Sequence, residues 1–231
     1  MPKGISIVLP AYNEAKKIRN ALKAIRNFLK KEGFKNYEII LVDDGSRDNT
    51  AEIARKQGAK VLVNKPNRGK GFSVSRGILA ASKELVLFTD TDLSTPLGFL
   101  KEMLKFIPEY DVIIASRNLP GSNIKIEQPA SRKVLGKIFA KFVSLLFMMD
   151  IKDTQCGFKL FKTEKAKKIF SKITTERWAF DVEVLVLAKK HHCKIKEIPV
   201  DWYNSIDSRL KLKSTLGMLA DVLKIKLKYP F

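Results

Sequence analysis

Short runs of β-branched and aliphatic residues alternate along the chain with longer stretches whose apolar positions recur every three or four residues. Residues 5–9 and 38–42 have the first character and predict strands. Between them Ile18, Ala21, Leu22, Ile25 and Phe28 keep helical spacing, with Lys and Arg on the opposite face. The alternation continues as a helix over 49–57, a strand over 60–63, a helix over 71–82, a strand over 85–89, a helix over 97–107 and a strand over 112–115. Strands and helices that alternate with short connections predict an α/β fold whose mainly parallel sheet is covered by helices on both faces. Such sheets bind ligands at the carboxyl ends of their strands. The second half is less regular: a long amphipathic helix over 131–149, a strand at 159–161, helices at 164–171 and 180–190, a strand at 195–200 and a terminal helix over 215–228.

The chain of 231 residues is 45% hydrophobic, which excludes a disordered or collagen-like polymer and fits one large domain, or one domain with a tail. Charge changes the picture more. Lys and Arg number 44 against 24 Asp and Glu, a formal charge of +20. Such an excess favours nucleic acid, nucleotide phosphates or an acidic membrane surface. A lysine-rich solubilising surface is the plainer reading, but Glu has not risen with Lys as it does in thermophiles. The cations also cluster: Arg132, Lys133, Lys137 and Lys141 precede any acid until Asp150, and Arg209, Lys211, Lys213, Lys224, Lys226 and Lys228 meet only Asp221. The longest apolar run, 142–149, is short of the roughly 18 residues a membrane span needs. A start almost directly on a strand argues against a signal peptide, and two cysteines, Cys156 and Cys193, against a disulfide framework, so a reducing cytosol is the expected compartment.

Polar residues gather where strands end. Pro10-Ala11-Tyr12-Asn13-Glu14 follows the first strand, Asp43-Asp44-Gly45-Ser46 the second, Asp90-Thr91-Asp92 the fourth and Ser116-Arg117 the fifth. Asp44 to Ser46 also reads as a turn and helix cap. Asp90 and Asp92 are different: two carboxylates at i and i+2 repel, and a hard cation is the usual remedy. Mg²⁺ or Mn²⁺ held this way keeps positions open for phosphate oxygens, which points to a nucleoside diphosphate. Asn67-Arg68-Gly69-Lys70-Gly71 lacks the first glycine of a P-loop and the Ser or Thr after Lys70. His191, His192 and Cys193 are contiguous and lack a second ligand pair for zinc. No Gly-x-Ser-x-Gly elbow supports a hydrolase.

Taken together, the 6–14 segment, the Val42 to Ser46 turn and the Asp90-Thr91-Asp92 pair resemble glycosyltransferase family 2, whose fold is GT-A. Residues 67–71, 153–161 (DTQCGFKLF) and 176–183 (ERWAFDVE) are similar to its dolichyl-phosphate β-glucosyltransferase branch, neighbour to the dolichyl-phosphate mannose synthases. The resemblance implies a catalytic domain over 1–211, with a donor half to about 117 and an acceptor half from 118, followed by a basic amphipathic helix over 212–231. It implies that Pro10, Ala11, Tyr12, Glu14, Asp44, Lys70 and Asp90 serve the nucleotide sugar, UDP-glucose or GDP-mannose. Asp90 and Asp92 would be the metal motif and Arg117 the cation beside the diphosphate. Ser131, Arg132, Asp153, Gln155 and Arg209 would serve a polyprenyl phosphate, and Asp181 would stand near the sugar. Ser208-Arg209-Leu210 departs from the usual Gly-Ser-Lys-Leu, with Asp207 in the glycine's place.

A phosphate monoester is already largely a dianion near neutral pH. Transfer to it needs no base, and Asp181 would orient the sugar or stabilise its developing charge; a hydroxyl acceptor would instead require Asp181 as a base. In the long helix, Leu135, Ile138, Phe139, Phe142, Leu146 and Met149 read as one apolar stripe beside Lys133, Lys137 and Lys141. The terminal helix sets Leu216, Leu219, Leu223 and Leu227 opposite Lys224 and Lys228. Both patterns suit helices lying in an anionic membrane interface, hence peripheral attachment to the cytoplasmic face. The rivals are a nucleic-acid-binding protein, a nucleotidyltransferase and a family 2 enzyme acting on a soluble glycan. The first leaves Asp90 and Asp92 unexplained, and the second lacks its glycine-rich loop after the first strand.

Overall fold

In the computed structural model the described residues are 4–126, 130–203 and 212–230, with the side chains of 130–134, 137 and 212–216 left aside. The first half runs β1 (Ile5–Ala11), α1 (Ala15–Lys31), β2 (Tyr37–Asp43), α2 (Thr50–Lys56), β3 (Lys60–Val63), α3 (Lys70–Leu79), β4 (Leu85–Thr89), α4 (Phe99–Phe106) and β5 (Val112–Ser116). The second runs β6 (Asn123–Ile124), α5 (Ala130–Phe147), β7 (Phe158–Lys162), α6 (Thr163–Phe170), α7 (Phe180–Lys190), β8 (Ile195–Pro199), β9 (Asp201–Trp202) and α8 (Leu212–Lys228). A seven-stranded sheet has the order β3-β2-β1-β4-β7-β5-β8, and β6 pairs with β9 beside it.

The expected α/β architecture is present, with each strand's alternate residues dividing between two cores. Ile7, Leu9, Leu41, Leu87, Ile113 and Leu160 face α1, α2 and α4, where Ile18, Leu22, Ile25 and Leu29 cover them. Val8, Ile40, Val42, Val86, Ile114 and Phe161 face the other way, against α3, α5, α6, α7 and α8. Burial on both faces explains why the strands read as nearly continuous apolar runs. β1 to β4 are parallel, and the chain leaves β1 first toward β2 and β3, then crosses back to β4. The carboxyl ends of β1 and β4 therefore flank a topological switch point, the place where sheets of this kind form their ligand crevice.

β7 is the departure from a parallel sheet. It enters antiparallel between β4 and β5, with Thr89 opposite Phe158 and Val112 opposite Phe161. Its amino-terminal end therefore lies beside the carboxyl ends of its neighbours, which brings residues 153–157 to the crevice.

The two basic helices also differ from their sequence pattern. On α5 the core side is Phe139, Val143 and Phe147, with Phe142 and Leu146 only partly covered. Leu135, Ile138, Leu145 and Met148 are exposed. The single stripe read from the sequence is thus two apolar faces, because helical spacing alone does not say which face meets the core. On α8, Met218, Val222 and Ile225 pack inward while Leu223 and Leu227 face out.

Candidate active site

The crevice is assembled from loops sewn together by backbone and short polar side chains. Asp44 N–H donates to the carbonyl of Ala11 at 2.7 Å, joining the ends of β1 and β2. Asn13, at a positive φ of 51°, receives the Arg47 N–H on its Oδ1 at 2.8 Å, and its own N–H donates to Ser46 Oγ at 2.8 Å. The Glu14 N–H donates to Thr50 Oγ1 at 2.8 Å. Pro10, Ala11, Tyr12 and Glu14, which the resemblance assigns to the nucleotide sugar, thus lie at the end of β1 and in the loop after it, tied to the end of β2 and the start of α2.

Asp44, expected to serve the nucleotide sugar, has a buried carboxylate that bonds the protein. Oδ1 accepts from Asn64 Nδ2 at 2.8 Å and the Arg68 N–H at 3.0 Å, and Oδ2 accepts from the Gly69 N–H at 2.7 Å. The carboxylate so fixes the 67–71 loop ahead of α3. Gly69 sits at φ 108°, and a Cβ there would stand 2.6 Å from the Glu176 carbonyl oxygen. The loop presses on the 174–177 segment, with Phe72 N–H donating to Glu176 O at 3.0 Å and Arg68 ion-paired to Glu176. The sequence motifs at 67–71 and 176–183 are therefore two sides of one contact.

Three ion pairs then cross the crevice floor. Lys70 Nζ lies 2.7 Å from Asp90 Oδ1. Burial opposes its charge, but Asp90 and then Asp181 outweigh that and hold its pKa above the ordinary lysine value. Arg117 embraces Asp153 with two parallel bonds, Nε to Oδ2 at 2.7 Å and an Nη to Oδ1 at 2.8 Å, and its backbone N–H adds a third at 2.9 Å. Burial raises the pKa of Asp153, yet Arg117 overcomes this and holds it below the usual carboxylate range. The sequence assigned Arg117 to the donor side and Asp153 to the acceptor side; the fold makes them partners. Lys159 pairs with Asp181, whose pKa burial pushes up against the pull of Lys159 and Lys70.

Asp92 is the exception: it is exposed, and among the described residues its carboxylate accepts the Ser94 N–H on Oδ1 at 3.0 Å and pairs with no cation. Asp90 is partly exposed, and the space beside it depends on Gly157, where a Cβ would stand 2.0 Å from Asp90 Oδ2. Among the described residues no three His, Cys, Asp or Glu side chains converge, so a cation at Asp90 and Asp92 would take its remaining ligands from substrate oxygens. That donor set, hard oxygens with open positions, fits Mg²⁺ or Mn²⁺. Gln155 Nε2 is buried without a protein partner, a donor left for a ligand. The Cys156 thiol, pushed up to about 11 by burial, is a packing residue and no nucleophile. Ser131 and Arg132 lie in the first turn of α5, where only the backbone is described, and Arg209 lies outside the described residues.

Two buried groups carry roles that sequence reading missed. Lys159 is a cation in a strand buried on both faces, which is itself the signal. Glu183, fully buried on α7, accepts from the Thr174 and Thr175 N–H groups at 3.0 and 2.7 Å and from Tyr229 OH at 3.2 Å, so it ties the 174–177 segment to the end of α8.

With this geometry in hand, similarity to known proteins is informative. Residues 6–170 match the family described as glycosyl transferase family 2. A dolichyl-phosphate beta-glucosyltransferase of Dictyostelium discoideum is 37% identical over 97% of this chain and 74% of its own length, and the human enzyme of that name is 34% identical over 98% and 76%. Among solved structures, glucosyl-3-phosphoglycerate synthase of Mycobacterium tuberculosis, in complex with Mn²⁺, UDP and glucosyl-3-phosphoglycerate, superposes with a TM-score of 0.71 at 17% identity, over 98% of this chain and 79% of that one. Mannosyl-3-phosphoglycerate synthase of Rubrobacter xylanophilus gives 0.71 at 19% identity, over 97% and 73%. These last likenesses carry the fold, which is GT-A.

Proposed function

The chain belongs to glycosyl transferase family 2, and from that premise we propose that it moves glucose from UDP-glucose to dolichyl phosphate with inversion at the anomeric carbon. The chain is a glycosyltransferase; the donor, the lipid acceptor and the stereochemistry are the proposed part. The similarity to relatives named dolichyl-phosphate beta-glucosyltransferase carries the acceptor, and the floor agrees with it, since among its described residues every carboxylate but Asp92 is already paired with a cation. Asp90, Asp153 and Asp181 each hold a protein cation. Asp92 is left for a metal. His191 and His192 follow the carboxyl end of α7, about 16 Å along the helix from Asp181 at its start. A hydroxyl acceptor would need its proton removed, whereas a phosphate monoester arrives as a nucleophile.

Catalysis is then positioning and charge stabilisation. Asp90 and Asp92 would hold Mg²⁺ or Mn²⁺, which when bound neutralises charge on the departing diphosphate. Lys70, Arg117 and Lys159 are already paired with Asp90, Asp153 and Asp181, so the floor offers a nucleoside diphosphate little uncommitted positive charge unless a divalent cation comes with it. The loop at 67–71, fixed by Asp44, sets Lys70 beside Asp90. Gln155 would donate to the acceptor or sugar. Asp181 orients the sugar and stabilises its positive charge.

The acceptor's lipid places the enzyme at a membrane. No helix among the described residues is long and apolar enough to cross one. Peripheral attachment to an anionic cytoplasmic surface is supported by outward residues of α5, of the turn after it and of α8: Ile138, Leu145, Met148 and Leu227 are 60%, 71%, 77% and 83% exposed, on a chain of formal charge +20. The test of the whole reading is incubation with Mn²⁺ or Mg²⁺, dolichyl phosphate and labelled UDP-glucose or GDP-mannose. Label from UDP-glucose entering the lipid phase supports it. Transfer from GDP-mannose alone would replace the donor, and transfer to dolichol as readily as to its phosphate would refute the acceptor argument.

A further inference from the structure

Lys159 stands where the sheet's alternation calls for an apolar side chain. Its cross-strand partners are Phe88 on β4 and Ile114 on β5, and its stem enters the core formed with α7. The side chain is 1% exposed. Nζ donates to the Cys156 carbonyl oxygen at 2.7 Å, forms a short ion pair with Asp181 Oδ1, and lies 5.9 Å from the Phe88 ring centroid. Phe88 in turn meets Phe180, the residue before Asp181, edge to face at 6.0 Å. The two bonds of this ammonium thus join the β7 entry, at Cys156, to the first turn of α7, at Asp181.

A buried ion pair is a weak device for stability, since apolar residues of similar volume commonly serve as well. What this pair supplies is direction. Among the described residues the hydrogen bond to the Asp181 carboxylate is that of Lys159 on Oδ1, which leaves Oδ2 for a substrate. Lys70, Asp90 and Arg117 also lie within electrostatic reach of Asp181, and among the described residues Lys159 alone bonds it.

We propose that Lys159 is a positioning residue for transfer: by fixing Oδ1 of Asp181 and the Cys156 carbonyl at once, it aims Oδ2 at the sugar and locks that aim to the acceptor segment at 153–157. The inference rests on the proposed role of Asp181, and the test separates the two.

The experiment is a double-mutant cycle of Lys159→Met, Asp181→Asn and both together, with Lys159→Arg beside them. It reads kcat, donor KM, binding of UDP with Mn²⁺ by calorimetry, and thermal melting. Because Lys159→Met leaves Asp181 buried and unpaired, the double variant, which removes both charges, is the folding control. We expect kcat to fall at least 100-fold in Lys159→Met while UDP binding stays within threefold. The double variant should match Asp181→Asn, because Lys159 acts through Asp181, and Lys159→Arg should recover part of the loss. Multiplicative losses in the double variant, or wild-type kcat in folded Lys159→Met, would overturn the proposal. Near-wild-type turnover by Asp181→Asn would instead remove the role given to Asp181, whatever Lys159→Met does.

Discussion

Gly157→Ala separates the fold from the site more sharply than any change to a charged residue. The glycine's φ lies outside the positive range, so alanine meets no backbone penalty there. Its Cβ would nevertheless stand 2.0 Å from Asp90 Oδ2 and 2.7 Å from Cγ. Ordinary contact is about 3.5 Å, so the carboxylate must retreat by roughly 1 Å or more. The obstacle is the end of a side chain that can turn, so the fold should lose less than about 1 kcal/mol, or roughly 2–4 °C in melting temperature for a chain of this size. The site should lose far more, because a displacement of about 1 Å in a catalytic constellation costs on the order of 100-fold. Asp90 would also leave Lys70, 2.7 Å away, without its partner. The assays are a thermal melt, calorimetry of UDP with Mn²⁺, and kcat/KM for transfer. Wild-type binding and turnover in a folded Gly157→Ala protein would refute the reasoning, and so would a melting temperature lowered by more than about 8 °C, which would show the core taking up the clash.

The remaining expectations are brief. Asp92→Ala, or excess chelator on the wild type, should reduce transfer by at least about 100-fold while leaving the melting temperature unchanged, since Asp92 is exposed. Arg117→Leu should destabilise by about 3–5 kcal/mol by leaving buried Asp153 unpaired. Arg117 depresses the pKa of Asp153 in the folded state, so its stabilisation is complete above the unfolded value near 3.8 and is lost as pH falls through the folded one; the stability gap between wild type and Asp153→Asn should be flat above about pH 5 and narrow below pH 4. Ile138→Glu with Leu145→Glu should leave melting unchanged and abolish cosedimentation with anionic vesicles, while melting without loss of vesicle binding would end the interfacial reading of α5.

The strands, their order of appearance and the four polar clusters at their ends were legible because burial on both faces forces continuous apolar runs, and polar residues return only where a strand leaves the sheet. The helices α1 and α3 were legible for the same reason in helical period. The direction of β7 was not, since pairing order depends on which edge the chain returns to, and residues 158–162 read alike in either sense. The stripe on α5 misled because two apolar faces lie side by side there: Phe139, Val143 and Phe147 at i, i+4 and i+8 meet the core, while Leu135, Ile138 and Leu145 do not. Asp44 and Glu183 were noted as motif members, but their hold on the 67–71 and 174–177 segments is a property of distant contacts that spacing does not carry.

The antiparallel entry of β7 has a consequence for how the two halves of the enzyme work together. Had β7 run parallel, residues 153–157 would lie at the opposite end of the sheet, and donor and acceptor residues would belong to separate surfaces. Instead the Asp90 N–H donates to the Gly157 carbonyl oxygen at 3.2 Å, so the backbone of the proposed metal ligand and that of the proposed acceptor segment share a bond. Two residues earlier in the same segment is Gln155, whose Nε2 awaits a partner, and four residues earlier is Asp153, clasped by Arg117. Two residues after Gly157 is Lys159, holding Asp181. One short stretch of chain therefore touches the proposed metal ligand, the cation proposed to stand beside the diphosphate and the carboxylate proposed to face the sugar. A ligand that engages Gln155 pulls on a segment already fixed at these three points, which is why the donor and acceptor sides of this site are best treated as a single rigid unit and why a methyl group at Gly157 is expected to disturb both.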